Sequence, residues 1–157
     1  MSTFENMLFS DSLKIKMINI AMSKTFNTFD AEDLVQQTYL KALEKQDQFS
    51  GEVIDPWVIT ILKNLFIDNT RKKKEELYGD DIPEIAIEDE STETLIERDK
   101  EKCLKQLSMK EREIIALMQT FSYEEISKSL LIKTGTIRQI KFRAQEKFTK
   151  CMGFFDE

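Results

Sequence analysis

An acidic segment in the middle of the chain separates two stretches that are rich in helix-forming residues. Glu75 to Glu101 contains twelve Asp or Glu residues against two cations, a net charge of −10. Within it, Gly79 to Thr92 has little apolar periodicity, so self-repulsion favours an extended conformation. We therefore predict two small helical domains, residues 1–78 and 94–157, joined by a flexible acidic linker at residues 79–93.

The net charge of the whole chain, −6, does not argue against a nucleic-acid partner. Because the acidic segment alone carries −10, the remaining residues carry a net charge of +4. Attraction to phosphates depends on the local density of cations rather than on the total charge. DNA binding by either helical part is therefore compatible with the composition.

The composition excludes several kinds of site. Cys103 and Cys151 are the only cysteines and histidine is absent, so no Cys/His set can hold zinc and no histidine can act in acid–base catalysis. We expect neither a metal nor a cofactor. No stretch approaches the length and apolarity of a membrane span, and the N-terminus has no long apolar core. These features predict a cytoplasmic protein without membrane contact.

The scarcity of helix breakers predicts an all-α fold. The chain has only 4 glycines and 2 prolines, with many Leu, Ile, Lys and Glu residues. We expect helices over Leu13 to about Thr25, Asp30 to about Lys45, Asp55 to about Leu77, and Thr94 to Gln106, then two short helices starting at Ser108 and Ser122, and a last helix from about Thr134.

Recognisable start signals support these helices. A carboxylate or hydroxyl at a helix start accepts hydrogen bonds from free backbone amides, and proline at the first position loses none. A capping box adds a return bond from a Glu side chain to the cap backbone. The signals are Asp30, Asp55 before Pro56, and two capping boxes, Ser108 with Glu111 and Ser122 with Glu125.

The helix predicted from Asp55 ends in a cluster of cations. Apolar side chains such as Trp57 and Leu62 can pack inward, which leaves a polar face of Lys63, Asn64, Asp68, Arg71, Lys72, Lys73 and Lys74. Cations at a helix C-terminus also favour the helix dipole without binding anything. Four consecutive cations exceed that need, so we predict that they neutralise phosphates and that Asn64 contacts a base.

The C-terminal part has the spacing of a helix-turn-helix. A helix from Ser122 to Leu130, a turn at residues 131–133 and a helix from Thr134 would place the second helix in the major groove. Helical hairpins with this spacing also occur as plain packing units. The polar, basic face of the last helix favours DNA binding, with Arg138 and Gln139 reaching bases.

The second predicted helix begins with an acidic turn. Asp30, Glu32 and Asp33 are followed by Gln36 and Gln37 on the same side. Carboxylates at a helix start are favoured by the dipole and need no partner. The same residues could form a surface that binds a protein, and taken alone they do not decide between the two interpretations.

Three motifs together resemble sigma factors of the extracytoplasmic-function type. The segment DAEDLVQQTYLKAL at residues 30–43 is similar to that family's second conserved region. The pattern W-V-x-x-I-x-x-N-L-x-x-D-x-x-R from Trp57 to Arg71 is similar to its promoter-melting helix. LSMKEREIIALM, SYEEI and GTIRQIKFRAQEKF resemble its fourth region, so the likeness covers most of the chain outside the linker.

The resemblance implies a subunit without enzymatic activity that binds core RNA polymerase and promoter DNA. The residues implied in docking on the clamp helices of the largest polymerase subunit are Asp33, Leu34, Gln36 and Gln37, with the flap region as a further contact. Those implied at the opening minus-10 element are Asn64 and Asp68, with Arg71, Lys72, Lys73 and Lys74 on its backbone. Those implied at the minus-35 element are Thr136, Arg138, Gln139, Phe142 and Arg143.

The last two helices depart from the family pattern at several positions. Leu131 replaces a glycine that is common in the turn, Ile140 and Lys141 stand where an arginine and an aliphatic residue are common, and Gln145 replaces a frequent arginine. These departures predict weaker minus-35 contacts or a different sequence preference. They leave open whether an anti-sigma factor or another DNA-targeting partner acts on the chain.

Two other functions are compatible with parts of the pattern. A helix-turn-helix regulator without a sigma role would bind a palindrome as a dimer, with the N-terminal helices serving dimerisation or sensing. A nuclease would need carboxylates such as those near Asp80 to hold a metal. The acidic segment is too flexible to preorganise such a site, which disfavours the nuclease.

Overall fold

The computed structural model of the protein describes residues 3–78 and 95–153, and within these ranges its regular structure is helical. The N-terminal group consists of α1 (Thr3–Leu8), α2 (Asp11–Thr25), α3 (Thr28–Glu44), a 3₁₀ turn (Gln46–Gln48) and α4 (Asp55–Tyr78). The C-terminal group consists of α5 (Leu95–Lys105), α6 (Met109–Met118), α7 (Tyr123–Leu130) and α8 (Thr134–Met152). The predicted linker at residues 79–93 lies outside the described residues.

The all-α prediction is confirmed, and the predicted helices agree closely with those observed. Helix α1 was not predicted. Its Phe4 ring meets the rings of Phe49 and Trp57, each at a centroid distance of 5.9 Å, and those two rings lie 5.3 Å apart. This aromatic cluster fixes the loop before α4. None of the described helices combines the length and the apolarity that crossing a membrane requires.

The helix caps agree only in part with the predicted ones. The Ser108 capping box is complete, whereas Glu125 accepts from the Ser122 hydroxyl rather than from the Ser122 backbone. Asn27, not Asp30, caps α3: its side-chain oxygen accepts from the Asp30 backbone amide at 3.1 Å. The amide at the third helical position is the one that a cap reaches, so Asp30 lies inside the first turn.

The capping box of α6 also connects that helix to α8. The Glu111 carboxylate accepts a hydrogen bond from Lys147 at 2.9 Å in addition to the bond from the Ser108 backbone. Burial acts to raise the pKa of Glu111, but the hydrogen bonds from Lys147 and Ser108 outweigh it and hold the pKa below its ordinary value. The resulting stabilisation is present above the ordinary carboxyl pKa and is lost as pH falls through the lowered one.

Helix α2 belongs to the N-terminal group and also packs against the C-terminal group. It packs against α3 and α4 on one side and against α6 on the other. Its buried side chains include Met17, Ile20 and Ala21, and they belong to one apolar core that also contains Leu62 of α4 and Ile114 of α6. The sequence predicted two helical domains, and the structure adds that the domains share a continuous core.

Polar contacts accompany this apolar core. Lys16 of α2 donates to the Asp55 carboxylate at 2.7 Å, and the Ser129 hydroxyl of α7 donates to the same oxygen at 2.9 Å. The Lys16 ammonium also lies 5.1 Å from the centre of the Phe121 ring. Asp55 was predicted to cap its own helix, and its carboxylate instead binds these two side chains.

A disulfide bond joins the first and last helices of the C-terminal group. Cys103 of α5 and Cys151 of α8 have a Cα–Cα distance of 5.6 Å and a sequence separation of 48 residues. Cys103 is buried. The sequence interpretation did not include this bond, because two distant cysteines do not by themselves reveal that they meet.

Reduction of this disulfide should destabilise the C-terminal group. A crosslink over a separation of 48 residues restricts the unfolded chain and contributes about 2–4 kcal/mol. We expect a lower midpoint in urea unfolding when dithiothreitol is present. The Cys151→Ser variant should have that lower midpoint with and without reductant. An unchanged wild-type midpoint, with mass spectrometry showing both thiols free, would contradict the expectation.

Candidate nucleic-acid interface

The solvent side of α3 carries most of the residues predicted to dock on polymerase. Asp33 and Gln36 are exposed, and Gln37 is half-buried. Gln37 donates to the Asp33 carboxylate at 2.7 Å and accepts from Asn69 of α4 at 2.8 Å. These two bonds hold the side chains of one surface in place, and they connect that surface to the helix that carries the cation cluster.

Leu34 differs from the other predicted docking residues. It is only 3% exposed and packs in the core with Ala31 and Val35. Because residues three and four positions apart share a helix face, Leu34 falls with Ala31 and Thr38 on the inner face of α3. Its side chain therefore supports the docking surface from beneath and is not available for direct contact.

The outer face of α4 carries the predicted minus-10 residues. Asn64 and the cluster of Arg71, Lys72, Lys73 and Lys74 are exposed, and Asp68 is half-buried. Asn64, Asp68 and Arg71 recur at helical spacing and lie on one side. The Arg71 guanidinium lies 3.4 Å from the Asp68 carboxylate, and both side chains are at least half exposed. This ion pair is therefore weak, and Arg71 can leave Asp68 for another anionic partner.

Lys63 was predicted to lie on this open face, but the structure places it elsewhere. Its ammonium is 2.9 Å from the Glu113 carboxylate of α6, and the Glu113 side chain is 2% exposed. Sequence reasoning assigned Lys63 to solvent because apolar side chains such as Trp57 and Leu62 were predicted to pack inward and leave it on the polar face. The packing of α6 against the N-terminal group covers this position, which the helical pattern of α4 alone cannot show.

The helix-turn-helix prediction is confirmed by α7, the turn after it and α8. Leu131 ends α7 in the left-handed conformation, with φ 57° and ψ 44°, and its amide donates to the Ser127 carbonyl. The side chain of Leu131 is 78% exposed. A leucine thus occupies a turn position that favours glycine, without any burial of its side chain to offset the strain.

The five residues predicted to contact minus-35 DNA are all exposed on α8. They are Thr136, Arg138, Gln139, Phe142 and Arg143. They occupy the side of the helix opposite to Ile137 and Ala144, which are buried against the rest of the group. Phe142 is 68% exposed.

Tyr123 is a residue of this surface that sequence reasoning missed. The Arg138 guanidinium lies 5.3 Å and the Lys141 ammonium 5.6 Å from the centre of its ring. Lys141 also donates to the Tyr123 hydroxyl at 3.2 Å. The ring therefore orients two cations of α8 before any DNA is bound, and no spacing signal in the sequence predicts that contact.

The described residues offer no alternative centre for metal chemistry. Within residues 3–78 and 95–153, no group of three or more His, Cys, Asp or Glu side chains is arranged to hold a metal ion. The described surfaces instead consist of an acidic helix start, a cation cluster and a basic recognition helix.

Comparison with known proteins identifies the family. The family model for Sigma-70 region 2 matches residues 11–76, and the model for Sigma-70, region 4 matches residues 103–148. The ECF RNA polymerase sigma factor EcfG of Rhodopseudomonas palustris is 32% identical over 135 residues, which cover 82% of this chain and 75% of that protein. The chain belongs to the ECF sigma factor family.

Two further relatives are consistent with this assignment. The ECF sigma factor SigE of Mycolicibacterium smegmatis is 26% identical over 142 residues, and the chain spans only 55% of that protein's length. The sigma factor RpoE of Bartonella quintana, solved in complex with the anti-sigma factor NepR, matches with a TM-score of 0.57 and 33% identity. That match covers 90% of this chain and 93% of the solved chain.

The two sigma regions correspond to the two helical groups. Region 2 spans α2, α3 and most of α4, and therefore includes the residues predicted to dock on polymerase and the cation cluster. Region 4 begins within α5 and ends within α8, so it contains the helix-turn-helix. The shared core described above thus joins region 2 directly to region 4.

Replacement of Leu131 by glycine should stabilise region 4. The substitution removes about 1–2 kcal/mol of backbone strain caused by the left-handed conformation. The greater freedom of glycine in the unfolded chain reduces this gain in folding free energy by about half. We expect a melting temperature higher by about 1–4 °C in calorimetry. Lys128→Gly, at an exposed position inside α7, is the matched control and should lower it. A lower melting temperature for Leu131→Gly would contradict the expectation and show that the leucine stabilises the turn.

Proposed function

We propose that the chain acts as a sigma factor through three separate surfaces, one for polymerase and two for promoter DNA. The assignment to the ECF family carries the overall function, because both sigma regions are matched in one chain. The exposure of the docking and DNA residues other than Leu34 supports their individual roles. Its partners on this proposal are core RNA polymerase and a promoter, and it acts in the cytoplasm.

The polymerase surface on this proposal consists of Asp33, Gln36 and Gln37 on α3. The carboxylate supplies charge for a basic partner, and the glutamine amides supply hydrogen bonds. The hydrogen bond that Gln37 donates to Asp33 and the one that it accepts from Asn69 keep these groups ordered, so little entropy is lost on docking. Leu34 acts beneath them as a positioning residue.

The minus-10 surface consists of the outer face of α4. Asn64 has both a donor and an acceptor, so it can bind the edge of an unstacked base, with Asp68 one helical turn away. The cations Arg71 to Lys74 bind the backbone of the opened strand. Capture of an unstacked base offsets part of the cost of strand separation, so the protein favours opening without a chemical step of its own.

The minus-35 surface consists of the exposed face of α8. On this proposal Arg138 and Gln139, which are exposed near the start of α8, contact base edges, and the exposed Arg143 contacts a phosphate. Thr136 and Phe142 add a hydroxyl and an apolar contact. Tyr123 holds Arg138 and Lys141 near the positions from which they bind DNA.

Charge reversal on the docking surface should weaken polymerase binding. Asp33→Lys removes the carboxylate and its hydrogen bond from Gln37, so we expect at least a tenfold rise in the Kd for core polymerase, or about 1.4 kcal/mol. Asp47→Lys makes the same charge change at an exposed residue of the 3₁₀ turn and should leave the Kd within twofold. Equal effects of the two variants would place docking elsewhere.

Removal of the Asn64 side chain should impair promoter opening without affecting docking. Asn64→Ala removes hydrogen bonds to an unstacked base, and we expect about a tenfold loss of open complex measured by permanganate reactivity. On a template with a premelted minus-10 element, the amount of open complex should recover most of the way, because strand separation is no longer required. A reduced affinity for core polymerase would contradict this role.

A further inference from the structure

The disulfide bond joins the last turns of two helices at one end of the C-terminal group. Cys103 lies near the end of α5 and Cys151 near the end of α8, with a sequence separation of 48 residues. Helix α5 packs on α8. Of the α5 side chains that the structure describes, at residues 99–105, only Cys103 is buried. The attachment of α5 to α8 therefore depends on this cysteine.

A permanent disulfide is not expected in the compartment where RNA polymerase works. Glutathione and dithiol proteins keep cytosolic thiols reduced, and the disulfides that form there are as a rule transient and either catalytic or redox-sensing. The chain has two cysteines, and the structure pairs them with each other. A bond that forms and breaks in the cytoplasm is the consequence, and this step rests on the proposed function.

A cleft of about 400 Å³ gives access to the bond from solvent. It is lined by both cysteines and by Asp99, Lys102, Gln106 and Met152. The side chains of residues 99, 102 and 106 are exposed, so the cleft opens to water. Cys103 is 3% exposed whereas Cys151 is half-buried, so an incoming thiolate reaches the sulfur of Cys151 first.

The charges around the bond assist this reaction. A thiolate attacks and a second thiolate leaves, so negative charge is present throughout. Both cysteines lie at helix C-termini, where the helix dipole disfavours a thiolate. Lysines in the same last turns offset the dipole, and they are Lys102 and Lys105 of α5 and Lys150 of α8. Lys102 lines the cleft itself, where its charge also opposes that of Asp99.

We propose that Cys103 and Cys151 form a site of reversible thiol–disulfide exchange, with a small thiol or a dithiol protein as the reductant. The reductant thiolate bonds to the Cys151 sulfur, the bond to Cys103 breaks, and Cys103 leaves as a thiolate that takes up a proton. A second reductant thiolate then attacks the mixed disulfide and releases Cys151, which also takes up a proton. Two electrons thus pass to the protein and the reductant becomes a disulfide. A disulfide of the same class reverses these steps.

Exchange alters the attachment of α5 and leaves the recognition face of α8 in place. Reduction removes the covalent anchor of α5. Arg143 precedes Cys151 by eight positions, about 12 Å along the helix, and is the last residue predicted to contact minus-35 DNA. Burial of Ile137 and Ala144 holds that part of α8. The redox state therefore controls the order of α5, the helix within which region 4 begins.

The test uses the oxidised full-length protein and counts free thiols by alkylation and mass spectrometry. Glutathione alone is compared with thioredoxin supplied with its reductase and NADPH. We expect reduction by at least one of them with native circular dichroism retained, and recovery of the bond with oxidised glutathione. Reduction by glutathione alone identifies a small thiol as sufficient, and reduction by thioredoxin only identifies a dithiol protein.

Hydrogen exchange measures the structural effect of reduction. The backbone amides of α5 should exchange at least about tenfold faster in the reduced protein, because their helix has lost its anchor. Amides at residues 136–143 should change by less than about twofold, because buried side chains hold them.

Two single-cysteine variants test the point of attack. Cys103→Ser leaves Cys151 at the cleft, so oxidised glutathione should form a mixed disulfide there. Cys151→Ser leaves the buried Cys103, which should react about tenfold more slowly. Circular dichroism checks the fold of both variants. Acid quenching of the wild-type protein during reduction should also show the mixed disulfide on Cys151, and this measurement needs no substitution.

A charge reversal tests the cleft. Lys102→Glu puts a carboxylate where the anionic glutathione thiolate approaches, so reduction by glutathione should be about tenfold slower. Lys100→Glu makes the same change at an exposed position of α5 outside the lining of the cleft, and its rate should stay within about twofold of the wild type.

A bond that stays closed in both reductants while the protein is folded would identify a permanent crosslink and overturn the inference. Unchanged hydrogen exchange of α5 after reduction would reject control of its order. Equal reactivity of Cys103 and Cys151, or equal rates for Lys102→Glu and Lys100→Glu, would reject attack through the cleft. Promoter-specific transcription by wild-type protein with core polymerase tests the sigma function separately, so active transcription with an inert disulfide rejects the exchange site alone.

Discussion

Burial of α2 on two sides is the constraint on which the rest of the structure depends. One side of the helix packs on α3 and α4, and the other packs on α6. Each helical group alone has a small apolar core, and small domains of this size gain little stability by themselves. Sharing α2 enlarges the core and thereby stabilises both groups. The same packing brings the polar contacts of Lys16 and Lys63 into the interface.

The interface between the two groups combines apolar and charged contacts. Lys63 lies 2.9 Å from the buried Glu113 carboxylate, and its own side chain is 29% exposed. A charged pair with a partly exposed member costs less desolvation than a fully buried one.

Local signals in the sequence predicted most of the helices. Ser108 with Glu111 marked the start of α6, because a capping box is formed by residues within one turn. Asp55 with Pro56 marked the start of α4, although the Asp55 carboxylate binds Lys16 and Ser129 and not the helix backbone. Helix α1 was missed because it depends on a distant contact, that of Phe4 with Phe49 and Trp57. Pairing of α2 with α6 likewise requires tertiary information that periodicity does not contain.

The candidate site was predictable where it depends on a helix face and unpredictable where it depends on packing. The exposed residues of α8 follow from the position of Ile137 and Ala144 on the opposite face. Helical spacing puts Leu34 on the inner face with Ala31 and Thr38, where it is buried, whereas the family resemblance implied a direct contact. The contacts of Lys63 with Glu113 and of Tyr123 with Arg138 join different helices, so no single-helix pattern reveals them.

The aromatic cluster beside the loop before α4 has a spectroscopic consequence. Trp57 is the only tryptophan of the chain, and it lies against Phe4 and Phe49. Its indole is half-buried, so its emission maximum depends on how much water reaches the ring. The protein therefore carries an intrinsic fluorophore next to the segment that precedes α4, and unlabelled samples can report rearrangement of that segment in real time.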